Sequence, residues 1–430
     1  MSEDFDPNDH RVIGPKLGLF HIQEEAAGSV FWHPKGTTLF QTIESYIRDR
    51  LRNHGYQEIK TPQLVDKALW QASGHWDKFR KNMFAAVDAD ALPDLSDPDV
   101  GISDPADLLD HTLSLKPMNC PCHVQVFNQR TVSYRQLPMR LAEFGCCHRN
   151  EPSGALHGIM RLRQFTQDDA HIFCTEEQVA AETEAFCRLL LSVYRDFGFD
   201  EVKIGFSTRP ADPTKRGGTD ATWDKAENAL RAAVEAIGLE YETYPGEGAF
   251  YGPKLEFALV DIRGRQWQCG TLQLDFVLPE NLDARYTAAS GERLRPVMLH
   301  RAILGSMERF IGILLEHYEG RLPAWLSPVQ YAIVPVRPEH AEYARRVHAL
   351  LWHTHNLRGL VDDRDEHMNN RIKEHLTDRV PYVLVVGGRD AEKLTVTARV
   401  DGGDQQIVAL PGLPALFRDA ERPSLGNHRA

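Results

Sequence analysis

Three arginines, three histidines and three acids fall within the single stretch His148–His171, HRNEPSGALHGIMRLRQFTQDDAH. Arg149, Arg161 and Arg163 all stand at odd positions, with Glu151 beside them. A guanidinium fork matches phosphate oxygens in pairs, and a carboxylate can accept from an exocyclic amine, so the chemistry within reach is the handling of a nucleotide. Taken alone, the same residues also fit a solvated hairpin carrying ordinary ion pairs. A second candidate is KPMNCPC at 116–122. C-x-C is a weak metal signal, because closed zinc sites usually show wider paired spacings, and a buried thiol is the ordinary alternative. A third, GEGAFYG at 246–252, lacks the G-x-G-x-x-G spacing and runs into an alternating segment, which disfavours a dinucleotide fold.

Elements must hold these residues. Period-two alternation on both sides of Pro152-Ser153-Gly154 predicts two antiparallel strands joined by a loop. Upstream, Leu39, Ile43, Ile47 and Leu51 recur at four-residue spacing and predict a helix over 36–55, with Thr38 and Gln41 as a capping box and Gly55 as its stop. A strand follows from Tyr56 to Lys60. Residues 175–198 read as the clearest helix, opened by Thr175 and Gln178 and closed by Gly198. A strand at 201–208 and a helix from Trp223 to Ile237 follow. Lys254 and Glu256 share one side of the next strand, and Gln268, Gly270 and Gln273 lie on its neighbour. A helix is expected from Ala302 to Leu315. Beyond PAWLSP at 323–328, strands (Val329–Val336, Leu360, Tyr382–Val386, Leu394–Val400) alternate with helices (Pro338–Trp352, Asn369–Asp378), which predicts a small α/β domain.

Length and composition bound the reading further. At 430 residues the chain exceeds what one core usually supports, so two domains are expected: 1–325 and 328–420, then a tail at 421–430. No apolar run approaches a membrane span, and the acidic start MSEDFDPNDH is no leader peptide, so a cytoplasmic protein without membrane contact is expected. The seven cysteines, an odd number confined to 120–269, fit reduced thiols. A net charge of −12 opposes general nucleic-acid affinity, yet leaves room for a local RNA-binding surface. Residues 85–110, rich in Asp, Pro, Ala and Leu, read as an exposed acidic loop.

The block at 148–171 resembles the second conserved motif of class II aminoacyl-tRNA synthetases, and its wording (HRNEPSGALHG, then FTQDDAHIF) is similar to the threonyl-tRNA synthetase family. GSVFWHPKG leading to Pro62, KPMNCP at 116–121, QCGTLQLDF and VMLHRAILGSMERFIGIL at 297–314 match in the same order. The resemblance covers about residues 8 to 418. It implies an α+β catalytic domain, with a mainly antiparallel sheet flanked by helices, followed by a smaller α/β anticodon-binding domain. It also implies a homodimer, built on the helix and strand that end at Pro62.

The resemblance carries an activity: ATP-dependent activation of L-threonine and transfer to tRNA(Thr). It sets Cys120, His171 and His300 on the family's zinc ligands, with Zn²⁺ open to threonine's amino group and hydroxyl. Met118, Gln167, Asp169, Tyr251 and Gln273 would hold threonine. Arg149, Glu151, Arg161, Phe165, Gln268, Thr271 and Arg309 would hold ATP. Arg149, Lys254 and Arg309, with Mg²⁺, would meet the charge developing on phosphate. Valine, lacking the hydroxyl, is rejected strongly by a site built for a polar contact. Serine, lacking only a methyl, is distinguished by just ~1–3 kcal/mol.

Departures from the family pattern are informative. Cys122 stands where the family has glycine, so it is expected to strain the turn if the backbone there is left-handed, and to compete for the metal. Thr397 stands where an anticodon-reading arginine is expected, with Arg399 the nearest guanidinium. The chain starts almost at the first motif, so the family's N-terminal editing module is expected to be missing and serine errors to fall to a separate trans-editing protein. Two alternatives remain: a paralog that confers inhibitor resistance or loads another acceptor, and a non-catalytic RNA-binding regulator.

Overall fold

A computed structural model describes residues 6–86 and 113–423. The segment expected to be an acidic loop lies, from residue 87 to 110, outside the described residues. Among the described residues, contacts divide the chain into two compact units, one within residues 24–29 and 50–310, the other within residues 6–23, 30–49 and 311–423. Among the described residues no helix is long and apolar enough to cross a membrane.

The first unit is built on an eight-stranded sheet. Its strands are β1 (Gln57–Glu58), β2 (Met139–His148), β3 (Gln164–Cys174), β4 (Val202–Ser207), β5 (Glu242–Tyr244), β6 (Lys254–Val260), β7 (Gln266–Asp275) and β8 (Val297–Ala302). Their order is β5-β4-β6-β7-β8-β3-β2-β1. Only the outer pairs β4–β5 and β1–β2 are parallel, and the five inner pairings are antiparallel. The expected hairpin is present as β2 and β3, with Glu143 opposite Asp169 and Cys147 opposite Phe165. The mainly antiparallel sheet is as expected.

Helix α1 (Pro34–Asn53) begins earlier than the pattern suggested. Proline suits the first helical position, where its missing N–H has no partner to lose. Thr38 is therefore interior, and its hydroxyl donates to the Pro34 carbonyl at 2.9 Å rather than capping. Leu39, Ile43 and Ile47 are fully buried, as their spacing demands, and Gly55 takes φ +74° after the helix. Helix α2 (Cys120–Asn128) carries the C-x-C pair. Helix α3 (Val179–Asp196) follows a single 3-10 turn opened by the Thr175–Gln178 capping box. Helix α4 (Asp220–Ala236) buries Trp223, Leu230 and Val234.

The helix expected from Ala302 starts only at Met307, as α5 (Met307–His317). Ala302 instead ends β8, and Gly305, at φ +82°, turns the chain between them. The left-handed backbone of Gly305 interrupts any continuous helix there, and a side chain at this position would press on the Cys269 carbonyl.

The second unit holds a five-stranded mixed sheet of β9 (Tyr331–Pro335), β10 (Gly359–Val361), β11 (Tyr382–Val386), β12 (Thr395–Val400) and β13 (Gln405–Ala409). The order is β10-β9-β11-β12-β13, with β9 parallel to both neighbours and the last two pairings antiparallel. Helices α6 (Ala341–Ala349) and α7 (Met368–Thr377) alternate with the strands. Tyr331, Ile333, Leu384, Val386 and Val396 form its apolar core.

Candidate active site

One face of the large sheet gathers the chemistry. Antiparallel register sets Lys254 opposite Gln273, Gln273 opposite His300, and His300 opposite His171. The next row in the same phase runs Glu256, Thr271, Ala302, Asp169 and Glu143. Side chains two apart share a face of a strand, so these residues converge although they lie far apart in sequence. A register shift between Phe257 and Ala258 brings Gln268 opposite Ala258 and changes the phase, and its amide donates to the Glu256 carboxylate.

Cys120, His171 and His300 meet at one end of this face. One donor atom from each lies within 4.8 Å of the others, and all three residues are buried. His171 Nε2 and His300 Nδ1 are 3.1 Å apart. His300 Nε2 donates to Asp275 Oδ2 at 2.8 Å, which leaves the Nδ1 lone pair directed at the cluster. Burial, with His123 and His300 nearby, pushes His171 well below the ordinary histidine value and keeps it neutral. Burial raises the Cys120 thiol well above its usual value, with Asp169 and Asp275 adding to the effect. A thiolate at Cys120 therefore calls for a cation beside it.

Cys122 does not join the cluster. It is the third residue of α2, about 200° around the helix from Cys120, and its backbone is not left-handed. Its thiol has Thr61, Lys116 and Glu143 as neighbours. The expected backbone strain and competition for a metal are both corrected: glycine's freedom is not used at this position.

Around the cluster, the Tyr251 ring stacks on His300 at 4.5 Å and its hydroxyl donates to Gln273. Asn119 Nδ2 donates to Asp169 Oδ2 at 3.0 Å. Met118 packs on the cluster of Cys120, Val124 and Phe127. Gln167 lies one pair beyond Asp169 on the same face of β3, opposite Gly145. The adjacent acid points the other way: Asp168 accepts from the Ile303 and Leu304 amides at 2.7 and 2.9 Å, and burial raises its pKa to about 6.

The arginines lie along the same surface. Arg149 places its guanidinium 5.0 Å from the centre of the Phe165 ring and donates to the Pro117 carbonyl at 3.2 Å. Arg161 is paired with Glu151 at 2.8 Å, and Arg163 donates to the Glu151 carbonyl at 2.9 Å. Lys254 Nζ stands 2.6 Å from Glu256 Oε1. Arg309, on the first turn of α5 after Ser306, donates to the Gln268 carbonyl at 3.1 Å. Two separate groupings result, Arg149–Phe165 with Glu151 and Arg161, and Lys254–Glu256–Gln268–Arg309.

Beside Arg309, Glu308 is buried and accepts from the Thr166 amide at 2.9 Å. Burial pushes its pKa up to about 7. A carboxyl raised in the folded state stabilises the fold below its unfolded value, and that contribution is lost as pH rises through 7. Glu308→Gln, which keeps a carbonyl for Thr166, is expected to remove roughly 3 kcal/mol of pH dependence between pH 4.5 and 8. Urea unfolding of both proteins across that range checks this. Parallel pH profiles would contradict it.

Sequence reasoning passed over His75 and Asp275. His75 Nε2 lies 3.5 Å from Cys120 Sγ, its ring is edge-on to Phe250, and burial lowers its pKa to about 3. Nothing in its local sequence signals this. Asp275 was legible, since it continues the Thr271, Gln273 alternation. In the second unit, Thr397 and Arg399 lie two apart on one face of β12, and the Gln405 amide oxygen accepts from Arg399 at 2.9 Å.

Residues 104–318 match the tRNA synthetase class II core domain (G, H, P, S and T), and 330–419 match the anticodon binding domain. Sheet, arginines and second domain together define a class II aminoacyl-tRNA synthetase architecture. A threonine–tRNA ligase of Rickettsia akari is 53% identical over 420 residues, which is 97% of this chain and 62% of the relative. One from Paramagnetospirillum magneticum is 56% identical over 411 residues, 95% and 61%. A crystal structure described as the RNA binding domain of threonyl-tRNA synthetase from Cryptosporidium parvum superposes with TM-score 0.86 at 38% identity, covering 97% of this chain and 99% of that one. The chain belongs to the threonyl-tRNA synthetase family. It spans about three fifths of the length of the curated relatives it matches. A prolyl-tRNA synthetase of Giardia lamblia, at 17% identity and TM-score 0.70, shares the fold.

Proposed function

We propose that this chain activates L-threonine with ATP to threonyl-adenylate and transfers it to the 3′ end of tRNA(Thr). One observation carries the reading: a buried thiol and two imidazoles converge beside Tyr251, Gln273 and Asp169, on the same sheet face as Lys254 and Gln268. The donor set fits zinc. One thiolate sulfur and two imidazole nitrogens are usual ligands for it, and three protein ligands leave a position open. Asp275 behind His300 is the carboxylate partner that zinc-binding histidines commonly have. Bound there, zinc supplies a Lewis-acid contact for the amino group and hydroxyl of threonine.

The chain's own residues do the rest. Asp169, held by Asn119, offers a carboxylate to the substrate's ammonium, with Gln167, Met118, Tyr251 and Gln273 enclosing it. Threonine's carboxylate attacks the α-phosphorus of ATP and pyrophosphate leaves. Arg149, Lys254 and Arg309 meet the negative charge that builds on the phosphate oxygens, and Mg²⁺ adds to it when bound. Phe165 offers a stacking face to adenine, Glu151 an acceptor for its amine, and Arg161, Gln268 and Thr271 further donors. A tRNA ribose hydroxyl then attacks the adenylate carbonyl and AMP leaves. Positioning two anions against each other accounts for much of the catalysis.

The same reading takes residues 1–325 as the catalytic domain and 328–420 as the anticodon-binding domain of a cytoplasmic homodimer. Threonine-dependent ATP–pyrophosphate exchange tests the first step and charging of tRNA(Thr) the second. Exchange without charging of that tRNA would favour another acceptor. Absence of exchange with any amino acid would overturn the enzymatic reading.

A further inference from the structure

Behind the cysteine–histidine cluster lies a second, wholly buried row of polar groups. We propose that His123 and Glu143 are positioning residues that fix the tautomer of His171, so that its Nε2 lone pair always faces the metal position; this rests on the zinc reading above. His123 is one turn after Cys120 on α2, on the same face of the helix. Glu143 is on β2, beside the strand that carries His171. His171, His123 and Glu143 are 1%, 0% and 4% exposed, so water cannot substitute for any partner.

With both imidazoles neutral, the hydrogen-bond geometry of the row leads to one arrangement of protons. Thr61 N–H and Oγ1–H and the Lys116 ammonium donate to the Glu143 carboxylate at 2.9, 2.8 and 3.1 Å. Held by these donors, the carboxylate is ionised and can only accept. His123 Nε2, at 3.1 Å from Glu143 Oε2, must therefore carry a proton. A neutral His123 then has its lone pair on Nδ1, which is 2.8 Å from His171 Nδ1. His171 must donate there, which leaves Nε2 bare and directed at His300 and Cys120. Asp275 performs the same service for His300 directly, whereas His171 receives it through an intervening imidazole.

Substitutions at His123 test the relay without stranding the buried Lys116 charge, as loss of Glu143 would. Asn places its amide oxygen near the position of Nδ1, and Gln near that of Nε2. His123→Asn keeps an acceptor for His171 and gives up Glu143; His123→Gln does the reverse. Zinc affinity is measured on metal-free protein by competition with a chromophoric chelator. His123→Gln and His123→Leu are expected to weaken it roughly 10–100-fold, with His123→Asn within a few-fold of wild type. A general packing role predicts equal loss in Asn and Gln, which would overturn the relay, as would unchanged affinity in all three. Nitrogen-15 shifts of His171 in metal-free wild-type protein separate this from the zinc reading. A protonated Nδ1 upholds the relay even if zinc fails to bind, and a protonated Nε2 overturns it.

Discussion

Arg149→Ala is expected to lower threonine-dependent pyrophosphate exchange by about 10²–10³-fold while leaving the folded protein as stable as wild type. The side chain makes one hydrogen bond to a backbone carbonyl and otherwise lies over the rings of Phe165 and Phe79, at 5.0 and 5.6 Å. It closes no ion pair to a carboxylate among the described residues, so its removal uncovers no buried charge. What is lost is a preoriented guanidinium fork beside Phe165, the ring proposed above to stack on adenine. Arg149→Lys keeps the charge but not the fork or the stacking, and should recover only part of the rate. Rates within a few-fold of wild type in Arg149→Ala would remove the residue from the catalytic account.

Cys120→Ser should cost more. Losing an outer partner of a metal ligand typically weakens binding roughly 10–100-fold, so losing the thiolate itself should exceed about 10²-fold. The variant is expected to retain no zinc after dialysis and to lose threonine activation in proportion. Chelation should bring wild type to the same state, and zinc should restore wild type alone. Because the thiol is buried and its proton hard to remove without a cation, metal uptake by wild type should release a proton. Metal content by mass spectrometry beside exchange rates decides this. Full activity in zinc-free Cys120→Ser would contradict it.

How far the sequence carried depends on the kind of information. Local periodicity sufficed for α3, whose capping box and Gly198 stop both stand. It sufficed for β2 and β3, because a strand buried on one face writes its alternation into the chain. It failed at Ala302–Ser306, where an apolar run suits either a buried strand or a helix, and only the left-handed Gly305 separates them. Likewise Thr38 reads as a cap only until Pro34 is recognised as the better start. Strand β13 is largely exposed, with Ile407 at 75%, and offered no pattern to read. The site itself is a product of register. Cys120, His171 and His300 are joined by no spacing rule, and resemblance alone put them together before the sheet did. Asp275 and His123, by contrast, were within reach of simple helix and strand periods. The consequences of Cys122 needed the helix, since only a turn of backbone decides whether neighbouring sulfurs share a face.

X-ray absorption at the zinc edge tests the central claim most directly. Purified wild-type protein should contain one zinc per chain, bound by one sulfur and two imidazole nitrogens. Adding threonine should increase the number of light-atom ligands, and adding valine should leave the hydroxyl's contribution absent. A metal-free protein that activates threonine at full rate, or a zinc bound by two or more sulfurs, would contradict the account.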